Sequence, residues 1–267
     1  MNILVCIKRV PDIAGSVTLD NAGTGIDESG LGHTMSSHEE CAVELAIQTA
    51  AQAGGTVTVL TLGPAEAVEQ LRAAVAVGAN DGILVEAADP SVFAPEDIAQ
   101  VIGDVIRDRA EAGQTFDLVL TGDDAADTGD FQVGIRLAYD LGYPVLTNIQ
   151  TISVGGAAGG GGERGSGRIE ARGIGPVGTE IFSLDLPAVV AVHEGGVDPR
   201  YPSITGRMKA KKAQVVEYDA PVPGMGSPRL RLELPEVKAS SVTILGEGPE
   251  AAPALVDVLE EIGVIRP

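Results

Sequence analysis

The sequence predicts an α/β fold, a Rossmann-like parallel sheet flanked by helices, on three observations. Apolar runs bounded by turn residues recur at 3–7, 57–62, 83–85, 118–120 and 189–192, with helical patterns between the earlier ones. That alternation is the mark of crossover-connected parallel strands. Hydrophobic residues make up 44% of the chain while aromatics are only 3%, so the core is built from Val, Ile, Leu and Ala. Such a core suits strands buried on both faces. At 267 residues the chain can bury one sizeable core or two small ones.

The elements follow in order. After the strand at 3–7, Ser37 with Glu40 reads as a capping box for a first helix, whose buried face carries Ala42, Leu45, Ala46 and Ala50. Pro64, at a first helical position, opens a second helix through Val68, Leu71 and Val75. Ile98, Val101, Ile102, Val105 and Ile106 recur at three- and four-residue steps and give the clearest amphipathic stripe. The strand at 118–120 leads through a loop at 122–134 to a helix that continues through Leu141. A glycine-rich insert at 155–167 has few side chains to bury and reads as a mobile surface loop. A glycine-rich phosphate cradle needs a helix directly after it, whereas Arg168 to Pro176 reads as strand and turn. Residues 1–218 are thus expected to form one α/β domain. Residues 219–267 follow as an extended arm and a terminal helix with Ala252, Leu255, Val256, Leu259 and Ile262 on one face.

A net charge of -20 argues against nucleic acid and against anionic membrane surfaces as partners. The N-terminal apolar run ends at Lys8, too short for a signal peptide or a membrane span, so a cytoplasmic protein without membrane insertion is expected. Cys6 and Cys41 form no CxxC pair and share no metal-ligand spacing with His33, His38 or His193. GxSxG, HExxH and Walker A patterns are absent, so no catalytic constellation and no metal are expected.

Two segments remain as candidate sites. The loop at 122–134 joins the end of a strand to the start of a helix, where free backbone N–H groups can meet an anion. A phosphate would sit against Gln132, Val133 and Gly134; in the alternative, Asp127 or Asp130 merely caps the helix. The second segment, 199–212, holds five of the chain's 18 Lys and Arg residues and no acid: Arg200, Arg207, Lys209, Lys211 and Lys212. It is either a surface that meets something or a solvated helix start.

The ordered string Leu186, Pro187, Ala188, Val189, then Pro199, Arg200, Tyr201, then Ile204, then Met208, Lys209, Ala210, Lys211, Lys212 resembles the signature of electron transfer flavoprotein beta subunits. The resemblance runs from the KRVPD segment to about residue 218, leaving out the glycine-rich insert. It implies a fold of the adenine-nucleotide-binding type. By that resemblance Gly122, Ala125, Asp127, Gln132, Val133 and Gly134 match the loop that holds the phosphate of AMP, with Asp123 and Asp124 where the family usually has Lys-Gln. Ser36 stands where the family has Asn, and Cys6 and Leu62 fall in the adenine pocket. Ile204 matches the apolar anchor that docks on acyl-CoA or other dehydrogenases, supported by Lys209 and Lys212. Thr205 replaces a usual Pro and Arg207 a usual aliphatic residue. The resemblance further implies an alpha subunit carrying FAD, against which the C-terminal arm packs, and a quinone oxidoreductase as acceptor. One alternative puts a second FAD in place of AMP, as in an electron-bifurcating flavoprotein. Another is a free-standing nucleotide-binding sensor.

Overall fold

The computed structural model describes residues 1–13, 15, 17–155, 167–226, 231–236 and 242–265. The first apolar run forms β1 (Asn2–Ile7), followed by the short strands β2 (Val10–Pro11) and β3 (His33–Thr34), which pair with each other. Helix α1 (Ser37–Ala53) ends at Gly54, whose φ of 72° is the left-handed conformation that closes helices. Its capping box lies one residue earlier than expected: Ser36 accepts from the Glu39 N–H, and Glu39 accepts from the Ser36 N–H. Strand β4 (Thr56–Gly63) leads through a single 3-10 turn at Ala65–Ala67 to α2 (Val68–Val77). Pro64 therefore precedes the turn rather than opening the α-helix.

Strand β5 (Asp81–Glu86), α3 (Pro95–Glu111), β6 (Leu118–Gly122) and α4 (Val133–Leu141) complete the alternating part. The chain then makes a meander of β7 (Val145–Val154), β8 (Arg168–Gly175) and β9 (Gly178–Asp185) before returning as β10 (Ala188–Val192). Helix α5 (Ile204–Ala210) and β11 (Val215–Asp219) follow. The glycine-rich insert joins the antiparallel partners β7 and β8, and a strand rather than a helix follows it; residues 156–166 lie outside the described residues.

One nine-stranded sheet runs β11-β5-β4-β1-β6-β10-β7-β8-β9. From β11 to β7 every neighbouring pair is parallel, and β8 and β9 extend it antiparallel. From β1 the chain builds outwards through β4 and β5, then crosses to β6 on the other side of β1. That reversal is a topological switch point, where open α/β sheets leave a crevice beyond the strand ends.

Alternation along β1 separates two cores. Ile3, Val5 and Ile7 pack with Leu45 and Ala46 of α1 and Leu71 and Val75 of α2. Leu4 and Cys6 face the other way, with Val101, Ile102 and Val105 of α3 and Leu137 of α4.

Contacts divide the chain into two compact units, Met1–Arg231 and Leu232–Pro267. In the first, the segment after β11 is bound back onto the start of α3. The buried carboxylate of Asp97 accepts the N–H groups of Gly224 and Met225 at 2.8 Å, Gly226 at 2.9 Å and Ala94 at 3.0 Å. Burial acts to raise the Asp97 pKa, and these bonds together outweigh it, leaving the carboxyl below its ordinary range. The second unit contains a 3-10 turn at Gly248–Ala251 and helix α6 (Ala252–Glu261). No helix of the described residues is long and apolar enough to cross a membrane.

Candidate functional site

Cys6 and Leu62 end adjacent strands on the same face of the sheet, that of α3 and α4. Both are buried, and burial followed by the charge of Glu39 pushes the Cys6 thiol up to about 12. The side chain therefore offers an apolar wall, not a nucleophile. On the same face lies Thr121, the penultimate residue of β6, only 5% exposed, and its Oγ1 has no hydrogen-bond partner among the described residues. It is aimed at the first turn of α4: a Cβ added to Gly134 would lie 2.8 Å from Thr121 Oγ1. The bare glycine thus leaves space beside an unsatisfied hydroxyl. Helix α4 has no side-chain cap at Gln132, so its first N–H groups are available to a ligand.

The loop itself is tightly folded. Ala125 O accepts from Gly129 N at 2.7 Å, and Ala125 N donates to Asp130 O at 3.1 Å. Asp130 Oδ1 takes the Gln132 N–H, and the Gln132 side chain is held by Arg136. Asp127 binds Lys8 Nζ at 2.7 Å across the crevice. Asp123 turns away, accepting from Asn148 N at 2.8 Å, while the half-buried Asp124 has Oδ1 without a partner. The Asp123 carboxylate is thereby anchored to β7.

Gly122 sits against α1: a Cβ there would approach Glu39 Cγ at 3.1 Å and His38 Cβ at 3.4 Å. Ser36 and Glu39 are both buried beside it. Glu39 accepts from Lys8 N at 2.6 Å and from Ser36 N at 2.9 Å, so one carboxylate fixes both the end of β1 and the start of α1. Burial pushes the Glu39 carboxyl up to about 7, against the opposing bonds from Ser36 and Lys8. With the folded value above the ordinary one, its stabilising contribution is complete below about pH 4.5 and is lost as pH rises through about 7. Melting temperatures of the wild type and Glu39→Gln between pH 5 and 8 test this: the wild type should lose stability relative to the variant as pH rises. Parallel curves would refute it.

Charge density suggested that the cations of 199–212 all face outward, but two are committed within the domain. Arg200 makes a two-pronged pair with Glu44 of α1, Nε to Oε2 and Nη2 to Oε1, each at 2.7 Å. Its hydrogen bond, ahead of the opposing effect of burial, holds the Glu44 carboxyl below its ordinary range. Lys209 Nζ donates to Ala79 O at 3.0 Å. Arg207, Lys211 and Lys212 enter no ion pair among the described residues.

Ser203 caps α5 by accepting from Gly206 N at 3.0 Å. A Cβ at Gly206 would lie 2.0 Å from Ala76 O, so the helix rests directly on the backbone of α2. On its outer side Tyr201, Ile204 and Met208 are 95%, 85% and 56% exposed. Pro199 precedes this ridge and is exposed as well. Ile204 is the first residue of the helix. Arg172 of β8 pairs with Glu170 of the same strand at 2.8 Å.

Lys8, Glu39, Glu44 and Thr121 escaped the sequence reading. Only Lys8 carried a signal, as part of the KRVPD segment; the others are ordinary helix or strand residues until tertiary contacts place them.

Fold and crevice define a class: a doubly wound α/β domain with a loop and helix start at its switch point. A family model described as the electron transfer flavoprotein domain matches residues 23–223. The chain is 31% identical to the electron transfer flavoprotein subunit beta of Bacillus subtilis, covering 97% of each chain. It is 30% identical to the subunit of that name from Syntrophomonas wolfei, over 96% of this chain and 95% of the other. It is also 26% identical to the acryloyl-CoA reductase electron transfer subunit gamma of Anaerotignum propionicum, over 99% and 100%. The chain belongs to the electron transfer flavoprotein family, among its beta subunits.

Proposed function

We propose that this chain is the AMP-binding, donor-docking subunit of a two-chain electron carrier whose FAD resides in an alpha subunit. The observation that carries this reading is the α5 ridge: Ile204 is 85% exposed on a helix otherwise locked to the domain by Arg200, Lys209 and Gly206. A rigidly mounted aliphatic tip orients a transient complex without locking it, and the free cations Arg207, Lys211 and Lys212 raise encounter rates with an acidic partner. The donors are acyl-CoA or other flavin dehydrogenases, and the acceptor is a quinone oxidoreductase. The relative named as an electron transfer subunit of acryloyl-CoA reductase supports a CoA-linked donor or acceptor.

In this reading the nucleotide is AMP, bound where β1, β4 and β6 end. Cys6 and Leu62 would wall the adenine; the Val133 and Gly134 N–H groups, the Gln132 side-chain amide and the Thr121 hydroxyl would take the phosphate; and Ser36, Gly122, Asp124, Ala125 and Asp127 would surround the nucleotide. FAD supplies the redox chemistry from the alpha subunit, while the residues of this chain bind, orient and dock. The C-terminal arm packs on that subunit, and the pair works in the cytoplasm. Acid release and chromatography of the bound cofactors test the reading, with one AMP and one FAD per chain pair expected. Two FAD and no AMP would replace it with the bifurcating reading, and a homodimer without flavin would replace it with the sensor.

A further inference from the structure

We propose that Lys8 is the cation that receives the phosphate of the nucleotide, held in readiness by Asp127; this rests on the nucleotide-binding reading above. The loop at 122–134 contains Asp123, Asp124, Asp127 and Asp130 and no Lys or Arg. A phosphate against the start of α4 would meet this negative charge unless a cation came from elsewhere.

The fates of the four acids differ. Asp123 is bonded to Asn148 N at 2.8 Å, with His193 Nδ1 at 3.7 Å from its other oxygen. Asp130 is bonded to Gln132 N at 3.0 Å, and Asp124 Oδ1 is buried without a partner. Asp127 meets an ammonium, Lys8 Nζ, at 2.7 Å. Arg136, the cation of α4, is already occupied by Gln132 Oε1 at 2.7 Å and Glu96 Oε1 at 2.8 Å.

Lys8 is placed for this duty by the topology. It extends from the end of β1, the strand beside β6 at the switch point, and its side chain bridges to the loop that follows β6. Its backbone cannot drift, because Glu39 Oε1 accepts the Lys8 N–H at 2.6 Å. Its side chain remains 33% exposed at the crevice. An ammonium has three donors, so Lys8 can keep Asp127 and still bind a phosphate oxygen, or exchange one anion for the other. Asp127 thus keeps an anion on Lys8 before the ligand arrives.

Isothermal titration of the nucleotide-stripped two-chain carrier with AMP and with adenosine separates this duty from a structural one. Lys8→Met should weaken AMP about tenfold, the effect of losing one charge-assisted hydrogen bond, and leave adenosine unchanged. Lys8→Arg should restore most of the AMP affinity. In the wild type, added salt should weaken AMP but not adenosine, a readout that holds even if the Met variant fails to fold. Equal AMP affinity in wild type and Lys8→Met, equal weakening of both ligands, or salt-independent AMP binding would overturn the inference while leaving nucleotide binding intact. A wild type that binds neither ligand would overturn the nucleotide reading itself, and the inference with it.

Discussion

Replacing Ile204 by aspartate should slow reduction of the two-chain carrier by its donor dehydrogenase about a hundredfold without changing its melting temperature. The side chain is 85% exposed, so the domain loses no core contact. Aspartate in the first turn of α5 also suits the helix dipole, and the Ser203 cap is retained. In a complex the same position would have to desolvate a carboxylate in an apolar pocket, a loss of the size seen at interface hot spots. Direct chemical reduction of the flavin is the control and should proceed at the wild-type rate. Unchanged kcat/KM with every donor tried would remove the docking role from this helix.

Arg200→Met should destabilise the domain by about 2 kcal/mol, below the cost of breaking a fully buried pair because the guanidinium is partly solvated. The acid is the vulnerable partner: the Glu44 side chain is only 5% exposed, against 46% for Arg200. Removing Arg200 strands that carboxylate in the seam between α1 and the segment leading to α5. The Glu44 pKa is lowered in the folded state, so the pair's contribution is present above the ordinary carboxylate range and lost as pH falls through the folded value. The deficit in Arg200→Met should therefore shrink towards acid pH. Adding Glu44→Gln should recover much of the loss at neutral pH. Urea midpoints for the single and double variants decide it; an Arg200→Met protein as stable as wild type would show that the seam does not depend on this pair.

Much of the fold was legible because the inner strands β1, β4, β5, β6 and β10 are buried on both faces and centre on runs rich in Val, Ile and Leu. The outer strands were not. β7 alternates partly exposed residues and is interrupted at Asn148, which has φ 57° beside a register irregularity. β9 buries only Leu184, and β11 is an edge strand of five residues, VVEYD. Neither offers a run of apolar residues to find.

The capping box slipped by one because Ser36-Ser37 and Glu39-Glu40 are tandem pairs that satisfy the same spacing twice. Tertiary contact decides between them: Glu39 also holds the Lys8 N–H, 31 positions away. At the site, Gly122 and Gly134 were legible as loop boundaries, whereas Thr121 reads as one more β-branched strand residue until α4 is placed beside it. Charge counting found the basic segment but could not tell which cations point inward. Arg200 and Lys209 are assigned by partners 156 and 130 positions away.

The central claim is that this chain works as half of a flavin-bearing pair. Purification from its own cells through a tag on this chain, followed by a visible spectrum and a count of polypeptides, tests it most directly. The account predicts a yellow particle of two different chains whose flavin is reduced by a donor dehydrogenase and its substrate. A colourless particle made of this chain alone would contradict it.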